Sequence, residues 1–211
     1  MTDSATQRLR NGTRTRHEAL ERTGFATAML AGTLPLDRYV RQLAAYGLVL
    51  RALEAELGGA TCSSVGAVWS PDLSKVPLLE RDLRHFASLG ATPGPCPAAM
   101  EFADEIRRTA ATDPPELLGF LYVLEGSTLG ARFLLRYVTE AYGLTDGNGA
   151  SYYGSGDRAR WTALTERLDR ALGEPAVQER VLAAAERAYR HVALMSAELS
   201  VGLGSPAPEP V

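Results

Sequence analysis

The chain has 211 residues, 45% of them hydrophobic and 22% charged, with a net charge of -3. That is ample material for one core and an ordinary globular composition. The weak negative balance argues against nucleic acid or an acidic membrane surface as the main partner. Two cysteines, Cys62 and Cys96, lie in Gly/Ser/Pro-rich stretches without metal-type spacing and predict free thiols. The N-terminus is polar and arginine-rich, and no run of 18 apolar residues occurs. The expectation is therefore a cytoplasmic protein with no secretory leader and no membrane span.

In chain order, residues 4–22 read as an arginine-rich amphipathic helix with Leu9, Leu20 and His17 turned inward. Gly24 predicts a break, and Phe25 to Leu30 a short helical piece ending at Gly32. A long helix is expected from Pro35 to Leu57, stopped by Gly58-Gly59. Residues 60–75 read as irregular. Helices are predicted over 76–89 and 98–112, separated by the Gly/Pro-rich turn 90–97.

The run from Glu116 to Tyr142 has helical spacing, opened by Pro114-Pro115 at the end where proline is tolerated. Its middle reads Gly126-Ser127-Thr128-Leu129-Gly130-Ala131. Each glycine there costs about 1 kcal/mol relative to alanine. Two compensations are open: close packing of a neighbouring helix, or close approach of a flat ligand to bare backbone. The same residues are a weak point where a helix can bend.

A polar glycine loop at 143–156 holds Tyr152 and Tyr153, and helices are expected over 157–172 and 175–203. The tail 204–211 reads as disordered by composition. No period-2 strand and no internal repeat is visible. The fold class is all-α: about seven or eight helices in one bundle-like domain over residues 1–203.

Three histidines occur, His17, His85 and His191. His17 has Glu21 one turn on and Arg14 and Arg10 one and two turns before it. Glu21 is placed to accept from an imidazole that ligates a metal, fixing its tautomer. Arg10 and Arg14 are placed to meet carboxylates of a bound cofactor. One imidazole with an open opposite face is the proximal arrangement for haem iron. The same four residues also read as a solvated charged face. Asp82-x-x-His85 looks like half a di-iron motif, but such sites need paired Glu-x-x-His segments, and none occurs here.

The segments Leu9-Arg10-x-x-Thr13-x-x-x-His17-x-x-Leu20-Glu21 and Leu121-Tyr122-Val123-Leu124-Glu125-Gly126-Ser127-Thr128-Leu129-Gly130 resemble the two signature helices of bacterial haem oxygenases. Tyr152-Tyr153-Gly154, Trp161 and Tyr189-Arg190 are similar to the branch associated with bacteriophytochromes. The resemblance covers residues 8–195. It implies a helical bundle of the haem oxygenase-like type, with haem b between His17 as iron ligand and a kinked helix at Gly126–Gly130. It implies cleavage of haem, both cofactor and substrate, by O₂ and electrons to biliverdin, CO and ferrous iron. The electrons would come from a ferredoxin or a flavin/NADPH reductase.

By the same resemblance Gly126, Ser127 and Gly130 form the catalytic wall, and Arg10 and Arg190, with Arg14 and Tyr122 beside them, meet the propionates. Two departures from the family pattern stand out. Ser127 occupies a place where many members carry aspartate, so the polar network at the bound oxygen must be organised differently, with Arg132 a candidate. Ala131 stands where glycine is common. Both departures also fit a haem-binding carrier or sensor without turnover.

Overall fold

The computed structural model describes residues 4–145 and 147–203, so the expected tail at 204–211 lies outside the described residues. Among these the chain forms nine α-helices and no strand: α1 (Ala5–Leu20), α2 (Gly24–Leu30), α3 (Leu36–Gly59), α4 (Ser63–Val68), α5 (Val76–Ser88), α6 (Pro97–Thr112), α7 (Leu117–Tyr142), α8 (Arg158–Ala171) and α9 (Pro175–Ser200). The all-α expectation holds, with three local differences. Gly24 opens α2 rather than breaking the chain, because Thr23 caps that helix through Ala26 N. The stretch read as irregular contains α4 and a 3-10 turn at Pro71–Leu73. Gly58 and Gly59 remain helical, and α3 ends where Ala60 turns extended.

Local chemistry sets the other ends. Ser4 and Asp157 cap α1 and α8 through side-chain acceptors. Pro97 and Pro175 stand in the first turns of α6 and α9, where no amide partner is lost. Pro114-Pro115 forms a 3-10 turn that leads into α7 instead of belonging to it. Gly143 closes α7 with φ 62°, a left-handed cap that suits glycine.

Helices α7 and α9 run side by side through the centre. At Gly119 an added Cβ would lie 2.3 Å from the Val181 carbonyl oxygen, so only a missing side chain lets the two backbones meet there. Helix α1 lies along α9, while α3 packs against α5, α6 and α7. One core of buried residues, from Leu9 through Leu53, Phe102, Phe120 and Leu168 to Leu199, joins all of them. The segment Pro114–Tyr142 is long and apolar enough to cross a membrane by length and composition. Its first half is spent on this core: Leu117 through Glu125 are all buried.

Candidate functional site

A pocket in the helical domain is lined by residues of α1, α2, α3, α7 and α9. Its volume is about 200 Å³, and its mouth is open to solvent. Phe25, Met29, Val123, Leu134, Val192 and Leu199 give it mainly apolar walls. Polar groups reach it at His17, Glu21, Gln42, Tyr46, Ser127 and the Tyr152-Tyr153 pair.

His17 sits in the last turn of α1, its side chain 55% exposed. Its Nδ1 lies 3.6 Å from Glu21 Oε1, slightly longer than a hydrogen bond. The His17 ring stands edge-on to buried Tyr189, centroids 6.3 Å apart, which limits how the imidazole can turn. Burial, then the nearby Tyr122, pushes the Tyr189 phenol up to about 12.

From α7 the pocket is lined by Ser127, Gly130, Ala131 and Leu134, residues of one helical face. A Cβ built at Gly130 would meet nothing within 4 Å. The bare backbone there is therefore not filled by a neighbouring helix. Gly126 differs: its added Cβ would lie 3.1 Å from Trp161 Cη2. Trp161 also packs against Tyr122, centroids 5.1 Å apart. The two glycines thus take one compensation each, Gly126 helix packing and Gly130 an open ligand space. Helix α7 is hydrogen-bonded without a break through this stretch. Ser127 Oγ and Thr128 Oγ1 each donate to the carbonyl three residues back, at 2.7 Å, a pattern that tends to bend helices.

Of the expected residues, His17, Glu21, Ser127, Gly130 and Ala131 are brought together around one cavity. Arg10, Arg14, Tyr122, Gly126 and Arg190 lie outside its walls. Arg14 faces Glu18 at 3.9 Å on the exposed side of α1. Arg10 and Arg190 are exposed and form no ion pair among the described residues. Tyr122 is buried, and burial raises its phenol while the Arg10 charge opposes this. Arg132, the candidate organiser of the polar network, donates to the Gly154 carbonyl at 2.8 Å instead.

Part of the pocket's polarity comes from Tyr152 and Tyr153, which the sequence singled out, and part from Gln42 and Tyr46, which it did not. Tyr153 donates to Gln42 Oε1 at 2.5 Å and approaches Met29 Sδ at 3.4 Å. The Tyr152 ring tilts over Tyr46 at 5.6 Å and its phenol neighbours Ser127. Burial raises both phenols well above their ordinary range, and Tyr46 to about 12. Gln42 and Tyr46 sit in the inward pattern of α3, where nothing separates a core residue from a cavity wall.

The Heme_oxygenase family model, described as heme oxygenase, matches residues 3–198. Heme oxygenase 2 of Synechocystis sp. is 27% identical over 151 residues, covering 70% of this chain and 60% of its own. The chain thus spans less than two thirds of that relative's length. Heme oxygenase of Xanthomonas campestris is 27% identical over 165 residues, 78% of this chain and 92% of its own. Among solved structures, heme oxygenase-2 from Synechocystis in complex with heme and NO superposes with a TM-score of 0.85 at 22% identity, covering 93% of this chain and 85% of that one. Heme oxygenase from Leptospira interrogans gives 0.82 at 23% identity, over 94% and 100% of the two chains. With the family model spanning nearly the whole chain and a pocket that joins the two signature helices, this protein belongs to the haem oxygenase family.

Proposed function

We propose that the protein is a haem oxygenase, binding haem b between α1 and α7 and cleaving it with O₂ and electrons to biliverdin, CO and ferrous iron. The observation that carries this reading is that His17 and Gly130, whose missing side chain leaves open space, line one largely apolar cavity. The apolar lining suits a flat macrocycle, whose faces are apolar and whose edge alone carries charge.

Haem supplies both the O₂-activating iron and the carbon skeleton that is cut. The chain's part is to bind and orient. His17 would hold the iron, and Glu21 beside Nδ1 would fix the imidazole tautomer. Gly130 and Ala131 let backbone rather than a side chain border the ligand. Ser127 and Tyr152 bring hydroxyls to the same cavity, while Phe25, Met29 and Leu134 would exclude bulk water. Arg10 and Arg190 are free to receive propionates at the rim. We take residues 1–203 as the working domain, a ferredoxin or flavin/NADPH reductase as electron donor, and the cytoplasm as its place. Membership of the bacteriophytochrome-associated branch rests on residues 121–130 and 152–154.

Titration with hemin should give a saturable Soret band with His ligation in the wild type and a different spectrum in His17→Ala. A reductant under air should then bleach the band and yield a bilin spectrum. Stable haem with competent reductant overturns turnover and leaves a carrier or sensor. No Soret change at all overturns the haem site.

A further inference from the structure

We propose that Asp82 on α5 is a positioning residue for the pocket, setting the Tyr152-Tyr153 corner against Ser127; the role in haem chemistry rests on the reading above. Asp82 is wholly buried, and no cation pairs with it among the described residues. Its two oxygens are taken instead by backbone: Oδ1 accepts from Ser151 N and Oδ2 from Tyr152 N, each at 2.8 Å. A buried carboxylate without a counter-ion is costly, and two charge-assisted bonds to adjacent amides offset that cost only in this geometry. The group is therefore tied to the position of the loop, not to the stability of α5.

The rest of the loop is fastened around that anchor. Arg81 Nε donates to Ser151 Oγ at 2.7 Å, and Tyr39 donates to the Gly149 carbonyl at 2.8 Å. Gly149, with φ 78°, has room for no side chain against Phe86 and His85. At the other end, a Cβ on Gly156 would lie 2.2 Å from the Thr128 carbonyl, so the loop rests directly on the turn of α7 that carries Ser127. Asp82 fixes the two residues midway, and the next ring atoms along are the phenols on the cavity wall. The Asp82-x-x-His85 pattern thus has a use unrelated to metal. Its histidine packs on Phe86, rings 5.1 Å apart.

Asp82→Asn is the informative change, because an amide offers one acceptor oxygen and turns an NH₂ toward the second amide. Without haem, hydrogen exchange should show the Ser151 and Tyr152 amides opening at least about tenfold faster, with α7 amides unchanged. In the ferrous haem complex with CO as probe, the C–O stretch should move in Asp82→Asn and in Tyr152→Phe. The double variant should move no further than either one alone. Unchanged exchange at 151–152, or exchange that rises equally everywhere, overturns the anchoring. A stretch that moves in neither variant, or additively in the double, overturns its transmission to the pocket. Should Asp82→Asn not fold, Tyr152→Phe alone decides, an unmoved stretch counting against the proposal. Absence of hemin binding by the wild type would strike the haem reading and leave the exchange result to judge Asp82.

Discussion

The only lysine in the chain is the sharpest handle on what holds the pocket's far wall. Lys75 Nζ lies 2.6 Å from Glu125 Oε2 and donates to the Leu73 carbonyl at 2.7 Å. The two side chains are 2% and 3% exposed. Glu125 immediately precedes Gly126 on α7, on the side away from the cavity. Lys75→Met removes the cation and leaves a buried carboxylate unpaired, a loss of about 3–5 kcal/mol. Total stability is about 5–15 kcal/mol, and a chain of this size loses about 2–4 °C per kcal/mol. The melting temperature should therefore fall by about 6–20 °C. Lys75→Met/Glu125→Leu removes both charges at similar volume and should recover most of that loss. Thermal unfolding by circular dichroism with a double-mutant cycle measures both terms. A single-variant drop no larger than the roughly 0–1 kcal/mol of a surface pair would refute the reasoning. So would a double variant as unstable as the single.

Two other sites give opposite signs on stability and binding. Gly130→Ala adds a methyl to open space and should raise stability by about 1 kcal/mol, while Gly130→Leu should weaken hemin binding at least about tenfold, read by Soret titration. Gly126→Ala brings its methyl against Trp161 and should show no stability gain but altered tryptophan fluorescence with binding retained; identical behaviour at 126 and 130 would break the division between them. His191 stacks on Phe102 at 4.7 Å, its Nδ1 is buried without a partner, and burial lowers its pKa below the ordinary value of 6.5. The unfolded chain then binds the proton more readily, so this stability is whole above about pH 6.5 and drains as pH falls toward the folded value. His191→Phe should flatten that slope in unfolding curves between pH 7 and 5.

The architecture was legible where apolar spacing was long, as in α3, α7 and α9. It failed at α4, because Ser63–Val68 is too short to show a helical period and its glycine and serines read as loop. His17, Glu21, Ser127, Gly130 and Ala131, which line one cavity, were legible as candidates: His17 with Glu21 from their company on one helix and Gly130 from its missing side chain, Ser127 and Ala131 from the family resemblance. Gln42, Tyr46 and Met29 were not, since a residue lining a cavity and one buried in a core obey the same spacing. Nor was Lys75 visible as an anchor, because one cation in sequence carries no sign of being buried. Arg10 and Arg190 are exposed and outside the cavity walls, so their roles rest on the resemblance.

These placements explain how α7 can carry two glycines in its middle without fraying there. Glycine weakens a helix by leaving backbone under-restrained, so the restraint must arrive from outside. Here it arrives on the faces turned from the cavity: Trp161 over Gly126, Gly156 against the Thr128 carbonyl, Arg132 tied to the Gly154 carbonyl, and the Lys75–Glu125 pair beneath. Each is a contact on α7 between 125 and 132, and none enters the pocket. A helix clamped from behind can present bare backbone in front. That separation lets stability variants at 75 and 125 and binding variants at 130 be read independently, which a pocket built from its own core residues would not allow.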